Sequence, residues 1–240
     1  FQDRIDRLLA WHRREELPSY TRLLTDFERN LDPSLDAATV EALFLELSDA
    51  ADRLEDRILD LMVDFGTTLS LEQRQEFMLA LEDEQEEQRE RLLSRSDEAY
   101  QDNAQEQFAD NLSKFLGRLT DQQKDILVLR TRDYQRFDGV WIEDRARWTS
   151  ELADIIAQNT ADWPSQVHSV LSGREGARSP EYAAVYAHNS ALSQTLLMEV
   201  INLRTPKQDR RLRQKIDNYR DDFTALVAQA KPFSPTAINP

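Results

Sequence analysis

The chain is 240 residues long, enough to bury a real core in one domain or two, and carries 40% hydrophobic and 31% charged residues but only 5 Gly and 8 Pro. Its formal net charge of −15 argues against a nucleic-acid partner, which demands a basic face. The absence of cysteine excludes a disulfide framework, a thiolate metal site and a cysteine nucleophile.

No apolar run approaches the ~18 residues that a membrane span requires. The chain starts at Phe1, without an initiator Met and inside a helical pattern. A segment upstream, a signal segment being one candidate, is therefore expected to have been removed.

The first helix is expected over Phe1 to about Glu16, with Phe1, Ile5 and Leu8 on one face and Pro18 after it. A short helix follows from about Ser19 to Asn30. The third shows a heptad seam: Val40, Phe44, Leu47, Ala51, Leu54, Ile58, Leu61 and Phe65, ending at Gly66 and widened by Leu43, Leu45 and Met62. It predicts lengthwise packing against one neighbour.

A helix beginning at Ser70 carries Phe77, Met78 and Leu81 and then turns wholly polar over residues 82–91. No face of that run is expected in a core. It reads either as a solvated face or as an acidic surface for a basic client. Apolar positions return at Leu92, Tyr100, Phe108, Leu112 and Leu116, before Gly117. The Thr120 helix is expected to carry Leu127, Tyr134 and Phe137 and to break near Asp138-Gly139. The next has Trp141, Arg145, Trp148, Leu152 and Ile155 at four-three spacing. A loop with Gly173, Gly176, Ser179 and Pro180 precedes two last helices. One carries Tyr182, Val185, Leu192, Leu196 and Val200, the other Leu212, Ile216, Tyr219 and Phe223. The Pro-rich stretch 232–240 reads as a loose tail.

Without two-residue alternation or a hairpin signal, the predicted fold is all-α: an elongated multi-helix bundle with long antiparallel helices and no sheet. It reads as one elongated helical domain over 1–231, with a sub-bundle boundary near 117–120.

Three of these helices start alike. Ser70 with Gln73, Thr120 with Gln123, and Thr205 with Gln208 each pair a hydroxyl with a Gln three places on. This is the capping-box pattern, in which the hydroxyl takes the N3 backbone N–H and the Gln reaches back to the cap N–H. Pro206 fits the first helical position.

The three histidines, His12, His168 and His188, form no HExxH or ExxH pattern, and there is no Gly-rich phosphate loop or GxSxG elbow. His12 and Glu16 share a helix face but lack further ligands. No catalytic, cofactor-binding or metal residues are nominated, and no cofactor is expected. The basic cluster Arg210, Arg211, Arg213 and Lys215 reads as a solvated face. Arg145 lies four after Trp141 and three before Trp148, so its guanidinium can stack on both indoles. The three form a candidate partner contact, an anchor for a carboxylate, or else a packed Arg paired with a nearby acid. Asn189, on an apolar stripe, is expected to make a register-fixing hydrogen bond, with His188 pointing outward.

The LTxxQ element in a helical chain resembles the periplasmic stress proteins of the Spy and CpxP group, where paired copies are the hallmark. Over nearly the whole chain, Leu8-Leu9-Ala10-Trp11-His12-Arg13 with Glu16-Leu17-Pro18, then Val140-Trp141-Ile142-Glu143-Asp144-Arg145 with Trp148, then Ser179-Pro180-Glu181-Tyr182 and Thr205-Pro206-Lys207-Gln208, resemble a proteobacterial lipoprotein family of unknown function. The resemblance implies a secreted protein lipidated on an N-terminal Cys that this sequence lacks, and a further LTxxQ element upstream of Phe1. Copies in the family commonly read LTPEQ. Here the first lacks the Pro, and the third has Arg204 between Leu203 and Thr205.

The expectation is a non-enzymatic, periplasmic, membrane-anchored lipoprotein that binds a protein partner or unfolded client, in a chaperone-like role. A structural scaffold of a specific envelope complex and a steric foldase for a secreted enzyme are the alternatives. A cryptic hydrolase would need convergent acids in a deep pocket. Contact with a membrane is expected only through the lipid anchor.

Overall fold

The first helical stretch continues where a break is expected. In the computed structural model, which describes residues 2–230, α1 (Gln2–Trp11) runs into a π turn (His12–Glu16) and on into α2 (Leu17–Arg29). Pro18 lies in the first turn of α2. Its ring crowds the carbonyl four residues back and it has no N–H to donate. The wider π turn absorbs this, with the Leu17 N–H reaching the His12 carbonyl five residues back. Glu16, buried in that turn, accepts from Arg53 Nε and Nη2 at 2.9 Å each. The Arg53 hydrogen bond holds the Glu16 carboxyl below the usual carboxylate range, although burial pushes the other way.

Helix α3 (Ala37–Gly66) has 30 residues and starts at Asp36, whose carboxylate takes the Thr39 N–H at 2.8 Å. It is about 45 Å long. The expected heptad seam coincides only in part with its buried face. Val40 is buried and Phe44, Leu54 and Leu61 are half-buried, but Leu47, Ala51, Ile58 and Phe65 are exposed. Ala50 and Leu59, off the seam, are buried instead. A straight helix drifts ~20° per heptad, and α3 meets α2 and α9, then α1 and α8, rather than one partner along its length.

The remaining elements are α4 (Leu71–Leu93), α5 (Asp97–Leu116), α6 (Asp121–Thr131), α7 (Asp138–Gln158), α8 (Trp163–Gly173), α9 (Pro180–Asn202) and α10 (Pro206–Gln229). No strand occurs among the described residues, so the chain is an all-α multi-helix bundle. The expected tail and Phe1 lie outside the described residues.

Two boundaries differ from expectation. Helix α6 ends at Thr131, so Tyr134 and Phe137 stand in a connection rather than on the helix. That connection is drawn towards α9. Asn189 takes the Gln135 N–H at 3.0 Å and gives its own amide to the Gln135 carbonyl at 2.8 Å. The Tyr134 hydroxyl meets Ser193 at 2.5 Å, and the Phe137 ring stands edge-on to Tyr182 at 4.8 Å. His188, expected to point outward, has its Nε2 2.9 Å from the Asp133 carbonyl. Asp138-Gly139 then opens α7 rather than closing α6. The buried Asp138 carboxylate sits where the helix dipole favours a negative charge and takes Arg95 Nη2 at 2.7 and 2.9 Å and Arg136 Nε at 3.2 Å. The second difference is a break after Gln158. Asn159 adopts a left-handed conformation (φ 48°), and α8 begins with Trp163-Pro164.

Two apolar clusters hold the helices. The first joins Leu31, Leu35 and Val40 to Leu112, Leu116, Leu119, Leu127, Leu196, Val200, Leu212 and Ile216. The second comprises Met78 of α4, Leu152, Ile155 and Ile156 of α7, and Trp163 and Val167 of α8. Leu116 and Leu119 flank the 117–120 connection and lie in the same cluster. Gly117 turns that connection at φ 78°, a conformation that strains any residue with a Cβ.

Candidate functional site

All three Ser/Thr-x-x-Gln elements close as reciprocal capping boxes. The backbone N–H groups of Ser70, Thr120 and Thr205 donate to Gln73, Gln123 and Gln208 Oε1 at 3.0, 2.9 and 2.9 Å. The return bonds to the hydroxyls measure 3.2, 3.3 and 3.2 Å. Beyond this the boxes diverge. Gln123 and Gln208 are buried and bond each other, Nε2 of each donating to Oε1 of the other at 3.2 and 2.9 Å. Their remaining N–H groups reach the carbonyls of Val200 (3.1 Å) and Arg118 (3.0 Å). Each amide thus uses both donors and both lone pairs, the condition under which a buried polar pair is tolerated. Gln73, by contrast, is exposed and bonds only within its own box among the described residues.

Arg204, the residue that interrupts the third LTxxQ copy, is a structural tie. Its guanidinium donates to the carbonyls of Leu31 (2.6 Å) and Ile201 (3.1 Å) and to Asp209 (2.7 Å). Burial raises the Asp209 carboxyl, but Arg213 and Arg204 outweigh it and leave it below its ordinary value. Arg213, from the expected solvated cluster, also pairs with Asp32 at 2.7 Å.

The Arg145 guanidinium carbon lies 5.3 Å from the Trp141 ring centroid and 5.4 Å from that of Trp148. Its Nε is buried without a hydrogen-bond partner, and among the described residues no carboxylate pairs with it. Trp141 and Arg145 line a shallow cleft of about 180 Å³ between α7 and the polar run of α4, whereas Trp148 packs against the second apolar cluster. That run is not wholly outside the packing: Gln85 donates to the buried Thr149 hydroxyl at 2.7 Å. The expectation that none of its faces meets a core is corrected to this extent. This amide–hydroxyl hydrogen bond lets a polar residue of the run lie against α7, while the six acids are exposed.

The feature that sequence reasoning missed lies at the other end of α4. A groove of about 340 Å³ opens between α3, α4, α7 and α8, and its walls are Met62, Val63, Phe77, Met78, Leu152 and Trp163, with few polar atoms. Gly66 lets the Trp163 ring lie close against α3: a Cβ there would stand 3.0 Å from the ring. Arg74 covers that ring at 4.4 Å and bonds Asn159 at 2.8 Å, bracing the floor. Met62 and Phe77 remain 52% and 54% exposed at the rim, so the groove presents apolar surface to solvent. The available signal was the surplus of apolar residues, Met62 off the α3 seam and Phe77 beside Met78, over what one stripe needs.

Among the described residues no group of three or more His, Asp or Glu has metal-binding geometry. His12 packs edge-on to Tyr20, and His168 lies 3.4 Å from Asp60. No helix among them is long and apolar enough to cross a membrane.

The family model of DUF6279 matches residues 1–183. The chain belongs to DUF6279, a family of unknown function. The part matching DUF6279 holds the first two boxes, the Trp141–Trp148 segment and every groove wall residue, and stops short of the third box. No curated protein and no solved structure matches the chain.

Proposed function

We propose that this DUF6279 member is a non-enzymatic, protein-binding lipoprotein of the proteobacterial cell envelope that faces the periplasm and takes up apolar segments of other proteins. The observation that carries the reading is the α3–α4–α7–α8 groove. It is concave, apolar-walled and rimmed by half-exposed Met62 and Phe77, the combination a hydrophobic side chain of a client needs. The envelope location and the lipid anchor rest on the sequence resemblance, as does the kinship with Spy and CpxP. The acidic surface keeps a client-binding protein soluble while the groove stays apolar. The experiment is suppression of aggregation of several unfolded clients at stoichiometric amounts. Activity in the wild type that is lost in Phe77→Asp, with thermal stability unchanged, supports the reading. No suppression by the wild type removes it.

A second reading, a scaffold for one specific envelope complex, is favoured by Arg145. A guanidinium held between two indoles and, among the described residues, without a paired carboxylate is a directional anchor for a single partner's carboxylate. A pull-down returning one stable partner, lost in Arg145→Met, supports it over the chaperone-like role.

A further inference from the structure

We infer that the Ser70–Gln73 box and the Phe77 rim of the groove form a self-association surface, and that its occupant is a second copy of this chain. The argument begins inside the molecule. The boxes at Thr120 and Thr205 are seated on each other, each Gln giving one N–H to its partner and accepting one in return. That exchange is reciprocal, so a box is its own complement. Two identical boxes related by a two-fold axis satisfy each other in the same way, which is the definition of an isologous contact.

The box at Ser70 has the same internal hydrogen bonds as the other two, yet among the described residues no second box is seated on it. Its Gln73 is exposed, and the Nε2 group has no partner among the described residues. Leu69, just ahead of the box, is half-buried and lines the open groove. Gln73 and Phe77 stand one turn apart on one strip of α4. A copy seated on Gln73 therefore also covers Phe77, the 54% exposed aromatic at the rim. Polar complementarity and the uncovered apolar surface point to the same occupant.

Charge sets the conditions. Glu72 and Glu76 flank Gln73, and each chain carries −15. Two copies repel, so added salt strengthens association by screening. Glu72 in the first turn offsets the meeting of two positive helix ends.

This inference rests on the groove reading only in making the second copy a competitor for the client's site. Sedimentation analysis reads association without any client, so failure of one is distinct from failure of the other. The experiment compares the 240-residue wild type with Gln73→Glu. Glu at the N3 position still accepts the cap N–H and suits a helix N-terminus, so α4 keeps its start. It loses both amide donors and sets two carboxylates face to face. The expected result is a salt-strengthened wild-type dimer that Gln73→Glu weakens at least about tenfold, with unchanged Tm. A wild type that stays monomeric at about 100 µM, a concentration at which even weak specific contacts fill, overturns the inference. So does a dimer indifferent to Gln73→Glu. A monomer that instead binds a foreign peptide beginning a helix with Ser/Thr-x-x-Gln overturns the choice of a second copy.

Discussion

The side-chain amides of Gln123 and Gln208 face each other across the first core and exchange hydrogen bonds of 3.2 and 2.9 Å. Each amide also receives the N–H of its own cap residue and donates to a backbone carbonyl. Two local helix starts, on α6 and α10, are thereby made into one long-range contact.

Truncating either member strands the other. Gln123→Ala and Gln208→Ala each leave buried donors and an acceptor without partners and open a cavity, at an expected cost of about 3 kcal/mol. Because the loss is shared, the double variant should fall short of the sum by about 1 kcal/mol or more. Chemical denaturation of the four proteins measures this; strict additivity would show that the two amides do not act as a pair.

The caps themselves are expected to be fold devices. Thr120→Ala removes one accepted N–H bond and should cost about 1 kcal/mol in thermal or urea unfolding. Client binding, measured at a temperature where the variant is fully folded, should be unaffected.

Acid should expose the Glu16–Arg53 bond. The folded-state pKa of Glu16 is depressed, so its contribution is fully present above the unfolded value of about 4.3 and is lost as pH falls through the folded value. Arg53→Met keeps the apolar stem and deletes the charge. At pH 7 it should destabilise by about 1 kcal/mol, a modest figure because the Arg53 side chain is 48% exposed and solvent screens it. Below the folded pKa the two proteins should converge. A difference constant from pH 7 to pH 3 would count against the bond as its source.

Arg145→Met leaves the indoles of Trp141 and Trp148 without their cation. No ion pair is lost among the described residues, so the cost should stay near 1 kcal/mol, the scale of a cation–π contact. A destabilisation several times larger in urea unfolding would contradict the cation–π contact as the main interaction of Arg145.

Much of this architecture is legible in the chain because helix starts are local. A hydroxyl, a Gln three places on and an apolar stripe are enough to place the beginnings of α4, α6 and α10. Burial is not local. The α3 seam looked continuous, but which of Ala50 and Ala51, or Ile58 and Leu59, turns inward depends on neighbours that change along the helix. Likewise, Pro18 reads as a stop until the π turn absorbs it, and Tyr134 fits the α6 pattern until Asn189 captures Gln135. The box spacing specifies how Gln123 bonds its own cap residue; it carries no record of Gln208 opposite. The Arg145 sandwich could be read from i, i+4 and i, i+3 spacing because it lies on one helix. The groove, assembled from four, could not.

The most direct test of the groove reading uses two residues of nearly equal exposure. Phe77, 54% exposed, stands on the groove rim, and Leu129, 53% exposed, lies on α6 outside the groove wall. A photo-crosslinking phenylalanine analogue at each position, irradiated with an unfolded client, separates a shaped site from general surface hydrophobicity. Strong client crosslinking from position 77 and little from 129 is the predicted result. Equal yields from both, or none from 77, would contradict the assignment of the groove as the client site.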